Sequence, residues 1–298
     1  MKRSLAAIVA ALTLLVACGS DGTTTTASTA TASASSAPAA PQRIVSLSAS
    51  ATEMLFAIGA GKQVVAVDDQ SNYPSDAPKT DLSGYQPNVE AIATYNPDLV
   101  VISGDTAGLV AGLETLKVPV VVAPAAKILD DTYQQLTDLG ARTGHQDEAA
   151  KVVTKLKTGV ADLIAQVPKR TTALTYYYEL DNTLFTVTSS TFIGQLFKLV
   201  GLENVADPAD ANGQSGGYPQ LSAEYLVKAD PDFVFLADTK CCQQDGTTFA
   251  ARPGFAGLKA VAAKQIVSLD DDVASRWGPR VVDLLRAIVD AVKVAPAQ

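Results

Sequence analysis

The chain has 298 residues, 47% of them hydrophobic, with 23 basic against 31 acidic side chains, one histidine and a net charge of −8. That apolar content can fill one large or two moderate domains, whereas the acidic balance excludes the basic footprint that nucleic acid requires. The lone histidine, His145, argues against zinc or manganese sites, which usually draw on several imidazoles.

Lys2 and Arg3 precede an apolar run too short for an ordinary membrane span, and the run ends in Leu15-Val16-Ala17-Cys18. This order reads as a lipoprotein signal over residues 1–18, with Cys18 lipidated and first in the mature chain. Losing Lys2 and Arg3 takes the net charge from −8 to −10. Residues 19–42, rich in Thr, Ser, Ala and Pro, lack the apolar surface to offset the entropy of ordering and read as a flexible tether. An anchor followed by a tether places the remainder outside the cell membrane as an extracytoplasmic protein held by lipid alone.

The first lobe is expected over 43–144. Strands are predicted at 44–47, 64–67, 99–102 and 118–122, with helices near 106–116 and 130–142. The loop Ser48-Ala49-Ser50 falls where a strand ends and a helix starts, a common ligand position in parallel α/β sheets. Tyr73 and Tyr85 stand in two irregular stretches, each beside proline.

Residues 145–168 form the long central helix, with Ala149, Val152, Leu156, Val160, Leu163, Ile164 and Val167 on one stripe. A similar unit stands on either side of it, NVEAIATYNPDLVVIS before and SAEYLVKADPDFVFLA after. In each, a capping residue and a glutamate open a short helix, a Pro-Asp turn stops it, and a buried strand follows. Glu90 and Glu224, Pro97 and Pro231, and Asp98 and Asp232 are all 134 positions apart. The pairing implies two α/β lobes of similar design joined by one rigid helix.

The second lobe, 169–298, is predicted to hold strands at 173–178, 184–188, 233–236 and 265–269 and helices at 192–200 and 279–293. Strand and helix alternate, so both sheets should be parallel and Rossmann-like. Cys241 and Cys242 are adjacent in an oxidising compartment; a vicinal disulfide that stiffens the loop, reduced thiols and a ligand contact all stay open. Gly213-Gln214-Ser215-Gly216-Gly217 fits the hydrolase pattern G-x-S-x-G, but its flanks supply neither the strand nor the helix of a nucleophile elbow.

The lipobox, RIVSLSASATEMLFAIGAG, YPSDAPKT, SGYQPNVEAIATYNPDLVVIS and DDDVASRWGPRVVDLL together resemble the substrate-binding proteins of cobalamin, haem and ferric-siderophore importers over about residues 43–293. That resemblance implies a non-enzymatic monomer without cofactor or metal, which captures a chelate or tetrapyrrole-like ligand between its lobes and delivers it to an ABC permease and its ATPase. It implies that Glu90 and Glu224 dock on permease arginines, and two carboxylates on separate lobes can register such a partner. The implied cleft would draw on Ser50, Tyr73, Tyr85, Tyr178, Tyr218, Arg276 and Trp277, whose aromatic faces suit a flat ligand while the arginine suits its carboxylates or phosphate. Val273-Ala274-Ser275 replaces the aromatics of cobalamin-binding relatives, and the tyrosine expected near Gln70 is missing, which weakens cobalamin and leaves siderophore and haem open. A surface scaffold or sensor on the same fold is the alternative, and an unlined cleft would favour it.

Overall fold

Branched apolar residues run unbroken through Ile44–Leu47 and Leu99–Ile102, and such runs are satisfied as strands covered on both faces. The computed structural model describes residues 39–295, so the signal, Cys18 and the tether up to residue 38 lie outside the described residues. In the first lobe the chain runs β1 (Ile44–Leu47), α1 (Ala49–Ala57), β2 (Val64–Asp68), β3 (Lys79–Leu82), α2 (Val89–Ala93), β4 (Leu99–Ile102), α3 (Leu109–Thr115), β5 (Val120–Val122) and α4 (Leu129–Thr143). The sheet order is β3-β2-β1-β4-β5 with every neighbour parallel.

The helix α5 (Gln146–Ile164) leads into the second lobe: β6 (Thr175–Glu179), α6 (Phe192–Leu199), β7 (Glu203–Asn204), α7 (Ala223–Ala229), β8 (Phe233–Leu236), α8 (Gly246–Ala250), α9 (Lys259–Ala262), β9 (Ile266–Ser268), α10 (Asp271–Ala274) and α11 (Val281–Val294). Its sheet order is β7-β6-β8-β9, again all parallel. The fold is therefore α/β with two parallel sheets.

The repeated unit has a shared physical cause. Asn88 and Ser222 cap α2 and α7 by accepting the N–H groups of Ala91 and Tyr225 at 2.9 and 3.1 Å. Asn96 and Asp230, again 134 positions apart, turn the chain with φ of 46° and 43°, which their short polar side chains tolerate better than most. The aspartates of the Pro-Asp pairs then fasten the neighbouring strand. Asp98 accepts the N–H groups of Gln42 and Arg43 at 2.7 and 2.8 Å, ahead of β1. Asp232 accepts the Thr175 N–H and hydroxyl at 2.8 and 3.0 Å, at the start of β6. Gln42, expected at the end of the tether, is thus already tied to the first sheet.

α5 has 19 residues and spans about 28 Å, shorter than the predicted 145–168 because His145 is its N-cap and Ala165 its C-cap. Its stripe serves both lobes. Ala149 and Leu156 pack in the first core with Met54 and Leu136; Val160 and Leu163 pack in the second with Leu196 and Leu285. Gly140 of α4 makes the antiparallel contact with α5 close, since a Cβ there would stand 2.5 Å from the Ala149 Cβ.

One prediction of secondary structure fails, and two strands go unpredicted. Residues 184–188 do not form a strand: Leu184 has φ of 70°, and the segment contributes a single antiparallel bridge, Phe185 to Gln220. The edge beside β6 is taken instead by the two-residue β7, and β3 adds an edge to the first sheet. β7 is too short to leave a periodic signal, and β3, Lys-Thr-Asp-Leu with one buried residue, lacks the apolar run that marks the other strands.

Candidate functional site

In open parallel sheets ligands settle beyond the carboxyl ends of the strands, where successive crossovers diverge. In the first lobe that point lies between β1 and β4. A cavity of about 340 Å³ occupies it, lined by Leu47 to Ser50 after β1, Asp68 at the end of β2, Gly84 and Tyr85 before α2, and Ser103 and Gly104 after β4. The second lobe closes the opposite side with Asp272, Ser275, Arg276 and Trp277.

Four of the predicted residues therefore meet at one cavity: Ser50, Tyr85, Arg276 and Trp277. Tyr85 is 77% exposed and free to stack on a ligand. Trp277 is half-buried between both cores; its indole N–H donates to Gln135 at 3.1 Å, and its backbone N–H to the Ser50 hydroxyl at 3.3 Å. The Thr132 hydroxyl donates to its carbonyl at 2.9 Å. Trp277 is thus as much a strut across the back of the cleft as a lining residue.

Arg276 differs from its expected role. Its guanidinium donates to Glu53 at 2.9 Å, to Asp272 at 2.8 Å and to the Gln70 carbonyl at 2.9 Å. With its charge balanced inside the protein, it is no open receptor for ligand carboxylates. Glu53, which the sequence analysis missed, is 3% exposed and also bonds Arg280 through both oxygens. An amphipathic reading of α1 has no place for a buried carboxylate, and its two arginine partners lie more than 220 residues away in sequence.

Tyr178 is a correction: it is fully buried, its hydroxyl donates to the Ala274 carbonyl at 2.9 Å, and burial raises its phenol well above the ordinary value. Tyr176 and Tyr177 flank it, equally buried, because β6 is covered on both faces. Tyr73 and Tyr218, each about half exposed, are not among the residues lining the cavity. Tyr73 instead lies under Arg280, 4.2 Å from guanidinium carbon to ring centroid.

Cys241 and Cys242 are free thiols, so of the alternatives left open the structure has the reduced pair. Asp271 stiffens the loop instead. Its carboxylate accepts the N–H groups of Thr239, Lys240 and Cys241 at 2.9, 2.9 and 2.9 Å. Burial works against its ionisation, but these donors prevail and hold the carboxyl below its ordinary value.

At the corresponding strand ends of the second lobe lies a different arrangement. Glu179, the fully buried last residue of β6, is held by Arg252 through two bonds of 2.7 and 2.6 Å. Asp238, just beyond β8, is also fully buried, and neither of its oxygens meets a donor among the described residues. Burial and the adjacent Glu179 charge push its carboxyl up to about 7.

Gly213 to Gly217 forms a run of turns in which Asp210 accepts the N–H groups of Ser215 and Gly217. It is not the strand-turn-helix of a nucleophile elbow. The two glutamates expected to dock, Glu90 and Glu224, are both exposed in the first turns of α2 and α7. Because each helix returns to the start of a parallel strand, these first turns lie on the same edge of their sheets as the strand ends.

Residues 44–273 match the periplasmic binding protein family. The chain belongs to that family. It is 30% identical to a cobalamin-binding protein of Halobacterium salinarum over 84% of this chain and 69% of the relative. It is 24% identical to an uncharacterised ABC transporter substrate-binding lipoprotein of Bacillus subtilis over 85% and 80%. Among solved structures, the periplasmic vitamin B12 binding protein of Vibrio cholerae superimposes with a TM-score of 0.73 at 26% identity, covering 87% of this chain and 99% of that one. These relatives are named as binding proteins rather than enzymes, in keeping with a family whose members capture small ligands.

Proposed function

We propose that this protein is the substrate-binding component of an ABC importer, capturing a cobalamin-type ligand, a haem or a ferric siderophore and passing it unchanged to the permease. The observation that carries the reading is the cavity between the lobes, set at the first sheet's switch point and rimmed by the exposed Tyr85. Relatives named for cobalamin keep that ligand in the set despite Val273-Ala274-Ser275, since those residues belong largely to α10 and Ala274 is buried there. In this reading Cys18 carries the lipid anchor, the stretch read as a tether, 19–42, links it to the domain outside the cell membrane, and the monomer meets its permease through Glu90 and Glu224. A lined cavity counts against the scaffold alternative.

The test is a titration of the purified protein with cyanocobalamin, haemin and a panel of ferric siderophores, followed by fluorescence and calorimetry. One saturable site for one of these is expected. Absence of binding across the panel would overturn the reading and leave the family assignment standing.

A further inference from the structure

The cleft wall contains a carboxylate oxygen with nothing to accept. Asp68 ends β2 on the cavity wall, is 3% exposed, and its Oδ1 has no hydrogen-bond partner among the described residues. Leaving such an atom unpaired opposes folding, so keeping a carboxylate at a cavity wall calls for a role there that offsets the cost. Its other oxygen is covered by the loop before α2: a Cβ on Gly84 would stand 2.7 Å from Oδ2 and 2.7 Å from the Leu47 carbonyl. Oδ1 is itself closed from solvent, so Asp68 acts on the cavity it lines through its charge rather than through an open oxygen.

The surrounding charges define what can fill that place. Arg276 is the one cation lining the cavity among the described residues, and Glu53 and Asp272 already balance it. Lys240, which bonds the same Asp272, is shared with Asp270 at 2.8 Å. A ligand edge bearing carboxylates would therefore face Asp68 and Asp272 with no cation left to receive it. An edge bearing N–H donors suits a wall lined by the Asp68 and Asp272 carboxylates, and the Ser48 and Thr106 residues nearby offer hydroxyls to the rest of the fringe.

We propose that Asp68 is the specificity-determining residue of the cleft, selecting a macrocycle or chelate whose inward edge presents amide or ammonium donors over one that presents carboxylates. This rests on the transport reading above and narrows it. Burial raises the Asp68 carboxyl above its ordinary value, so a donor or cation brought by the ligand favours the ionised form and is bound more firmly for doing so.

Calorimetry with three probes tests this: cyanocobalamin, fringed with amides; ferrioxamine B, ending in an ammonium group; and haemin, with two carboxylates. The wild-type protein is expected to bind one of the first two at least about tenfold more tightly than haemin. In Asp68→Asn and Asp68→Ser, each checked for an unchanged melting transition, that ratio is expected to fall toward one. A merely structural role would weaken all probes alike. Preference of the wild-type protein for haemin, or a ratio unmoved in either folded variant, overturns the role of Asp68 and leaves the transport reading intact. A wild-type preference for haemin decides against the role even where a variant fails to fold. No binding of any of the three overturns the role of Asp68 in choosing among them and leaves the transport reading to the siderophore panel above.

Discussion

The two lobes share a plan and differ where their strands end. In the first, the carboxyl ends of β1, β2 and β4 border a cavity with one unpaired acceptor at Asp68. In the second, the ends of β6 and β8 are filled by Glu179, Asp238 and Arg252, all closed from solvent apart from the arginine edge. One switch point stays open as a cavity, and the other is sealed by the chain's own charges. A topology that makes a site available does not oblige the sequence to use it.

The sharpest way to break this contrast is Arg252→Ala. It would leave Glu179 and Asp238 buried with no cation, and the loss is expected to be about 3–5 kcal/mol in urea denaturation. Ligand affinity of the molecules that remain folded should not change, because the sealed end takes no part in binding. An equal loss of affinity would show that the two switch points act as one site.

Asp238→Asn is the next largest, and its effect depends on pH. The Asp238 carboxyl rises from an ordinary 3.8 to about 7 in the folded protein. Between those values the folded state keeps a proton that the unfolded chain has released, so this residue's contribution is full below about 4 and is lost as pH rises through 7. The variant should therefore exceed the wild type by about 1–3 kcal/mol at pH 8, and the difference should shrink as pH falls below 7 and close by about pH 4. Asp68 shifts in the same direction and remains in both proteins, so the difference between them isolates Asp238.

On the open side, Tyr85→Ala is expected to weaken ligand binding by about tenfold. Its melting temperature should match the wild type, because the side chain is 77% exposed. A melting shift with unchanged affinity would remove Tyr85 from the site. The smallest change in the isolated protein is expected from Glu90→Ala with Glu224→Ala, within about 0.5 kcal/mol in stability and with binding unaltered. Uptake by cells should nonetheless fall, and unchanged uptake would sink the proposed docking.

What could be read from the sequence follows from how local each signal is. The repeated Asn/Ser cap, left-handed turn and Pro-Asp pair act within about a dozen residues, so both α2-β4 and α7-β8 were legible. So was the central helix, whose stripe of Ala149, Leu156, Val160 and Leu163 is its own evidence. Tyr178 was misread because a tyrosine run looks the same whether its strand is covered on one face or two. Arg276 was visible as a residue but not as half of a pair, since Glu53 lies 223 positions away. Asp68 carried no signal at all. A lone aspartate at a strand end gains meaning only when the loop at Gly84 is laid over it.

The strut at Trp277 has a kinetic consequence. With Ser50, Thr132 and Gln135 bonding one residue of the opposite lobe, and α5 rooted in both cores, the cleft angle is set before any ligand arrives. Nearly every molecule is then competent at the moment of encounter, and no fraction of the affinity is lost to idle conformers. Association should be a single bimolecular step whose observed rate climbs linearly with ligand concentration, and residence time will carry the differences between one ligand and another.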